Sequence, residues 1–115
     1  MSRTFGDIES KIPELGGIPN VVSAEPEITI FPFNDDLDYV MMGCDGIFDV
    51  LSNEEVNEVI WETVDYYKEK NDQANDLFGL CMNDCLNNVL KKAMIQKSED
   101  NITVIFIAFK NLLKI

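Results

Sequence analysis

The stretch at residues 39–56, YVMMGCDGIFDVLSNEEV, decides how the rest of the chain folds. Its first six residues, 39–44, are apolar without alternation, the pattern of a strand covered on both faces. Asp45 and Gly46 end the run, and Asp49 comes four residues after the first aspartate. Ser52 and Glu55 then make a capping box, and Glu54 and Glu55 suit the positive end of a helix. Val56, Val59, Ile60, Val64 and Tyr67 keep helical spacing, which predicts a helix over 53–70. Carboxylates at the end of a buried strand are costly unless positive charge compensates them. Asp45 and Asp49 are therefore the first functional candidates.

Downstream, the polar stretch 70–76, KNDQAND, is expected to break that helix. Leu77, Leu80, Cys81, Leu86, Val89, Leu90, Ala93 and Met94 predict a second helix that ends near QKSED (96–100). The strongest strand signal is ITVIFIAF at 102–109. Upstream, ITIFPF (28–33) reads as a strand, with Pro32 placing it at an edge or near a strand end. NDDLD (34–38) reads as a polar turn. Residues 8–27 hold Gly16, Gly17 and three prolines and read as an irregular, surface-lying segment. No repeat or low-complexity tract is present. The expected fold class is α+β: a small antiparallel sheet of 28–33, 39–44 and 102–109, with a helix pair packed on one face.

The chain has 115 residues, 46% of them hydrophobic, which suits one small domain with a modest core. Nine basic residues against 21 acidic ones leave a net charge of -12, with no histidine. That field repels nucleic acid and anionic membrane and attracts cations and basic partners. The three cysteines, Cys44, Cys81 and Cys85, suggest reduced thiols in a cytoplasmic or nuclear protein. Cys81 and Cys85 stand one helical turn apart, as two core thiols or as a pair sharing a soft metal. No signal-peptide pattern is seen in these residues, and no apolar run in them reaches the roughly 18 residues a membrane span needs.

The order strand, helix, helix, strand carries the chemistry. A helix hairpin returns the chain to the end of the sheet it left, so 102–109 should run antiparallel to 39–44. Asp45, just after one strand, then meets Asp100, just before the other, with Asp49 close by. Such a cluster offers only oxygen, the preference of Mg²⁺ or Mn²⁺. The bland reading stays open: Asp45-Gly46 and Asp100-Asn101 as ordinary turns, and Asp49 as a surface acid. The EF-hand, Walker and dinucleotide patterns are absent. Without histidine, Ser-His-Asp and Cys-His catalysis within this chain are excluded.

Four stretches, SRTFGD (2–7), SAEPEITIF (23–31), DYVMMGCDGIFDVLSNEEV (38–56) and SEDNITVIFIAF (98–109), resemble in order and spacing the C-terminal motifs of the type 2C protein phosphatases. These are the metal-dependent Ser/Thr phosphatases. The resemblance implies part of an α-β-β-α sandwich, in which two or three Mg²⁺ or Mn²⁺ ions activate a water against phosphoserine or phosphothreonine. It implies that Asp45 and Asp100 are metal ligands and that Asp49 belongs to a weaker third metal site. Asp7, Gly46 and Asn101 would surround the ligands without touching the metal, with a structural role for Asp7 equally open. Residues 8–27 would be the flap that helps choose phosphoprotein substrates.

The family's catalytic domain is more than twice as long, and its N-terminal motifs are missing here. Those motifs supply a phosphate-holding arginine, a DGHGG-like segment with a bridging aspartate, and a histidine proposed as general acid. The chain is thus expected to be a C-terminal fragment, inactive alone and weak or empty as a metal site. The sheet face that would meet the second sheet should be exposed and apolar, favouring self-association. The competing reading is a phosphatase-like module that binds partners without catalysis.

Overall fold

A computed structural model describes residues 2–70, 76–109 and 111–112. The chain divides into two units, Met1–Pro32 and Phe33–Ile115. In the first, a short helix α1 (Ile8–Lys11) precedes a 3₁₀ turn, Pro13–Leu15. Pro13 opens that turn, where its missing N–H goes unneeded. Thr4 donates its backbone N–H to the Ser23 carbonyl at 2.9 Å, and Ser23 donates to Ser2 at 3.0 Å. Lys11 ties the opening residues down through the carbonyls of Thr4 and Gly6. Residues 8–27 lie at the surface as expected, although less irregular than their Gly/Pro content suggests.

The expected strand at 28–33 does not form. These residues are irregular and exposed, with Ile30 at 89% and Phe31 at 79% exposure. Strand preference reflects a fit to a pleated, partnered surface, and among the described residues no strand edge pairs with them.

In the second unit, β1 (Tyr39–Gly43) pairs antiparallel with β2 (Val104–Ala108). The register sets Tyr39 opposite Ala108, Met41 opposite Phe106 and Gly43 opposite Val104. Between the strands come α2 (Asp45–Phe48), α3 (Asn53–Lys70) and α4 (Leu77–Ile95). Ser52 Oγ accepts the Glu55 N–H at 3.1 Å, and Glu55 Oε2 accepts the Ser52 N–H at 2.8 Å. Both halves of the capping box are therefore made. Asp76 caps α4 by accepting the Gly79 N–H at 3.0 Å. The expected break at 70–76 lies largely outside the described residues.

The core gathers Val56, Val59, Ile60 and Val64 of α3 against Cys81, Cys85, Val89 and Ala93 of α4, with Ile47, Leu51 and Leu112. Tyr39, Met41, Phe106 and Ala108 close it from the sheet. Cys81 and Cys85 are thus core thiols. Thr63 is buried with its hydrogen bonds made: it donates to the Val59 carbonyl at 2.8 Å and accepts from Asn88 at 3.0 Å.

Period-two alternation turns Val40, Met42, Ile105 and Ile107 to the opposite face of the sheet, where each is 40–53% exposed. Apolar on both faces, the strands are covered by this chain on one. The expected exposed apolar face is present.

Burial and the neighbouring Cys81 push the Cys85 thiol from its ordinary 9.0 up to about 12. The folded state holds the neutral thiol, so its contribution is complete below pH 9 and is lost as pH rises toward about 12. Urea midpoints should therefore fall across that alkaline range, less so in Cys85→Ala. Iodoacetamide should reach Cys81 and Cys85 only after unfolding.

Candidate metal centre

The second unit brings the two aspartate-bearing segments together by their backbones. β1 gives way at Cys44 to α2, whose first residue is Asp45. Asp49 donates its N–H to the Asp45 carbonyl at 2.8 Å, so the two aspartates stand one helical turn apart. Sequence reasoning read a turn here, and the chain makes a single turn of helix.

On the other side, α4 ends in a reverse turn of Schellman type. Lys97, at φ 62°, donates to the Met94 carbonyl, and Ser98 donates to that of Ala93 at 3.1 Å. This delivers the 98–101 segment to the end of β1. The Ser98 hydroxyl donates to the Gly46 carbonyl at 2.7 Å. The Cys44 thiol donates to the Asn101 carbonyl at 3.0 Å and accepts the Thr103 N–H at 3.2 Å. The Cys44 N–H donates to the Thr103 carbonyl at 3.1 Å, extending the ladder past the strands. Gly46 is buried against this segment. A Cβ there would lie 2.3 Å from the Asn101 carbonyl oxygen and 3.6 Å from the Asp100 carbonyl carbon.

Asp45, Asp49, Asp100 and Asn101 are all exposed. The opening premise of a buried, uncompensated carboxylate is therefore corrected: the strand is covered on one side only, and its terminal aspartate reaches water. Asp45 Oδ1 accepts the Gly46 N–H at 3.0 Å, and Asp100 Oδ1 accepts the Asn101 N–H at 2.7 Å. Each carboxylate is thereby oriented by its own backbone. A carboxylate has about four acceptor positions, so one N–H leaves capacity for a cation. In donor type and water access the pair fits a hard divalent ion.

In number the donors fall short. Among the described residues, no three His, Cys, Asp or Glu side chains gather so as to hold a metal. Asp45, Asp49 and Asp100 do not close into a three-carboxylate cage here. Asp7 belongs to the first unit, where it is exposed, precedes α1 in a left-handed conformation (φ 49°), and caps nothing with its side chain.

The contacts of Cys44 and Ser98 escaped sequence reasoning. A cysteine ending an apolar run reads as core, and a serine after a helix reads as surface. Their only signal is position, each within two residues of a candidate ligand.

Gly46→Ala should cost about 1–3 kcal/mol, the usual range for overpacking. The obstacle is backbone rather than a side chain that can swing aside. Urea denaturation measures the loss, and amide shifts at Asn101 should report the displaced turn.

The protein phosphatase 2C family model matches residues 1–102. Protein phosphatase ppm-1.A of Caenorhabditis elegans is 33% identical across 95% of this chain and 21% of its own length. Human protein phosphatase 1B is 30% identical and human protein phosphatase 1A 32% identical, each across the whole chain. The alignments cover 22% and 28% of those two proteins. The chain thus spans less than a third of the length of these curated relatives. With nearly nine-tenths of its residues under the family model, the chain belongs to the protein phosphatase 2C family.

Proposed function

We propose that this chain supplies the Asp45 and Asp100 side of a Mg²⁺ or Mn²⁺ centre in a phosphatase acting on phosphoserine and phosphothreonine of proteins. The observation that carries this reading is the contact of Gly46 with the Asn101 carbonyl, which sets two aspartates from distant sequence at neighbouring backbone positions. Family membership supplies the reaction class.

Asp45 and Asp100 would hold the metal, and Asp49 would serve a further, weaker ion. When bound, the metal supplies an activated water and neutralises charge on the phosphoryl group. The chain's own residues orient the carboxylates: the N–H groups of Gly46 and Asn101 hold one oxygen of each, and exposure lets water fill the remaining coordination. By family resemblance Asp7 would stand near the ligands without touching the metal, a structural role being equally open, and residues 8–27 would serve as a flap that helps select phosphoproteins.

Arg3 is the one arginine of the sequence, and it pairs with Glu27 at 2.8 Å. No other guanidinium is available to grip a phosphate, so this chain alone should show no phosphatase turnover. The outer face of Val40, Met42, Ile105 and Ile107 is the contact for a second sheet, and alone it should drive self-association. Among the described residues no helix is long and apolar enough to cross a membrane.

Mn²⁺ titration followed by water-proton relaxation should show weak binding that Asp45→Asn and Asp100→Asn each reduce several-fold, with the melting temperature retained. Equal binding in both variants would reduce these aspartates to turn residues. Mn²⁺-dependent hydrolysis of a phosphopeptide by the 115-residue chain would show that the centre is complete without further ligands.

A further inference from the structure

We infer that Cys44 and Ser98 are positioning residues for this centre, a side-chain clamp that fixes where Asp100 stands relative to Asp45. The inference rests on the reading of those aspartates as ligands and adds residues that do not touch the metal.

Three hydrogen bonds make the clamp, two at Cys44 and one at Ser98, and all cross between the ligand-bearing segments. From the β1 side, the Cys44 thiol donates to the Asn101 carbonyl and accepts the Thr103 N–H, bracketing the residues just after Asp100. From the α4 side, the Ser98 hydroxyl donates to the Gly46 carbonyl, gripping the residue just after Asp45. Each side chain thus holds the segment that carries the other side's aspartate. The Cys44 thiol bonds to the same Asn101 carbonyl that Gly46 approaches, and the Ser98 bond to the Gly46 carbonyl adds a separate crossing, so together they fix an orientation where one would leave a pivot.

The positions explain the residue types. At position 44 the side chain must donate and accept at once, toward a carbonyl and an N–H two residues apart. A thiol or hydroxyl does both, and an aliphatic side chain does neither. At position 98 the left-handed Lys97 ends α4 and leaves a short donor facing the Gly46 carbonyl. Ile47 and Ile102 anchor the residues just beyond the aspartates in the core, and the side-chain bonds of Cys44 and Ser98 add orientation where the aspartates themselves meet solvent. Metal ions discriminate strongly against displaced ligands, and groups that orient ligands are felt in affinity.

The test uses the 115-residue chain and the variants Cys44→Ala, Cys44→Ser and Ser98→Ala, each with and without Asp100→Asn. Amide hydrogen exchange at Asn101, whose N–H donates to the Asp100 carboxylate, reads the turn without metal. Water-proton relaxation reads Mn²⁺ affinity. Exchange is compared at matched intervals below each melting temperature, so that global destabilisation does not imitate a local effect.

Cys44→Ala and Ser98→Ala should each speed Asn101 exchange and weaken Mn²⁺ binding by roughly three- to tenfold, the span of one net hydrogen bond. Cys44→Ser should recover most of both. The affinity loss should vanish in the Asp100→Asn background, because the clamp acts through Asp100. Unchanged Asn101 exchange in both alanine variants overturns the proposal. So does an equal affinity loss with and without Asp100, since general packing then accounts for it. If the unaltered chain takes up no Mn²⁺ at millimolar concentration, the half-centre does not bind without its missing ligands, and Asn101 exchange alone decides the clamp. Should Cys44→Ala fail to fold, Ser98→Ala carries the same two readouts.

Discussion

At Gly46 the chain passes so close to the Asn101 carbonyl that a single methyl group would stand 2.3 Å from its oxygen. Three features of the fold meet to make that approach. The β1–β2 register ends with Gly43 opposite Val104, and the Cys44–Thr103 bond carries the pairing one step further. The α3–α4 hairpin returns the chain to the end of the sheet it left. The left-handed Lys97 then turns the chain sharply enough for Ser98 to reach Gly46. A side chain at position 46 would hold these segments apart, and the two aspartates with them. The glycine costs backbone entropy, and the close approach is what it allows.

The charge arrangement follows from the same geometry. With 21 acidic residues against nine basic ones, an aspartate pair taken out of water would have little positive charge to meet. The fold leaves Asp45 and Asp100 exposed and lets one backbone N–H orient each. Desolvation is thereby small, and orientation comes from bonds the carboxylates make to their own neighbours. The cysteines divide along the same line. Cys81 and Cys85 fill the core, where burial suppresses ionisation, and Cys44 spends both its donor and its acceptor on the opposite segment.

What could be read from the sequence was what local chemistry determines. The capping box at Ser52 and Glu55 placed the start of α3, and apolar spacing placed both long helices. The helix order then implied the antiparallel pairing that brings the Gly46 backbone against that of Asp100 and Asn101. Two readings failed for one reason, since both depended on neighbours. ITIFPF has strand-like composition, but without a partner edge it stays irregular. YVMMGC looked like a strand covered on both faces, and it is covered on one. Composition records what a segment tolerates, whereas its cover depends on what lies beside it. The contacts of Cys44 and Ser98 were illegible because they depend on ångström-scale placement between residues more than fifty positions apart.

The exposed sheet face and the exposed ligands belong together under the phosphatase reading. A second sheet laid over Val40, Met42, Ile105 and Ile107 would bury apolar area, which favours its docking. The same layer would take water from the ends of β1 and β2, where Asp45 and Asp100 stand, and so raise the cost of keeping both ionised. A divalent ion removes that cost, so cover and metal each strengthen the binding of the other. Without the layer, the exposed carboxylates would keep their hydration and would hold a cation weakly. With the layer and without the metal, two like charges would face each other in a drier site. Under that reading the apolar residues of the strands and the acids at their ends would make one coupled demand, met when sheet and cation arrive together.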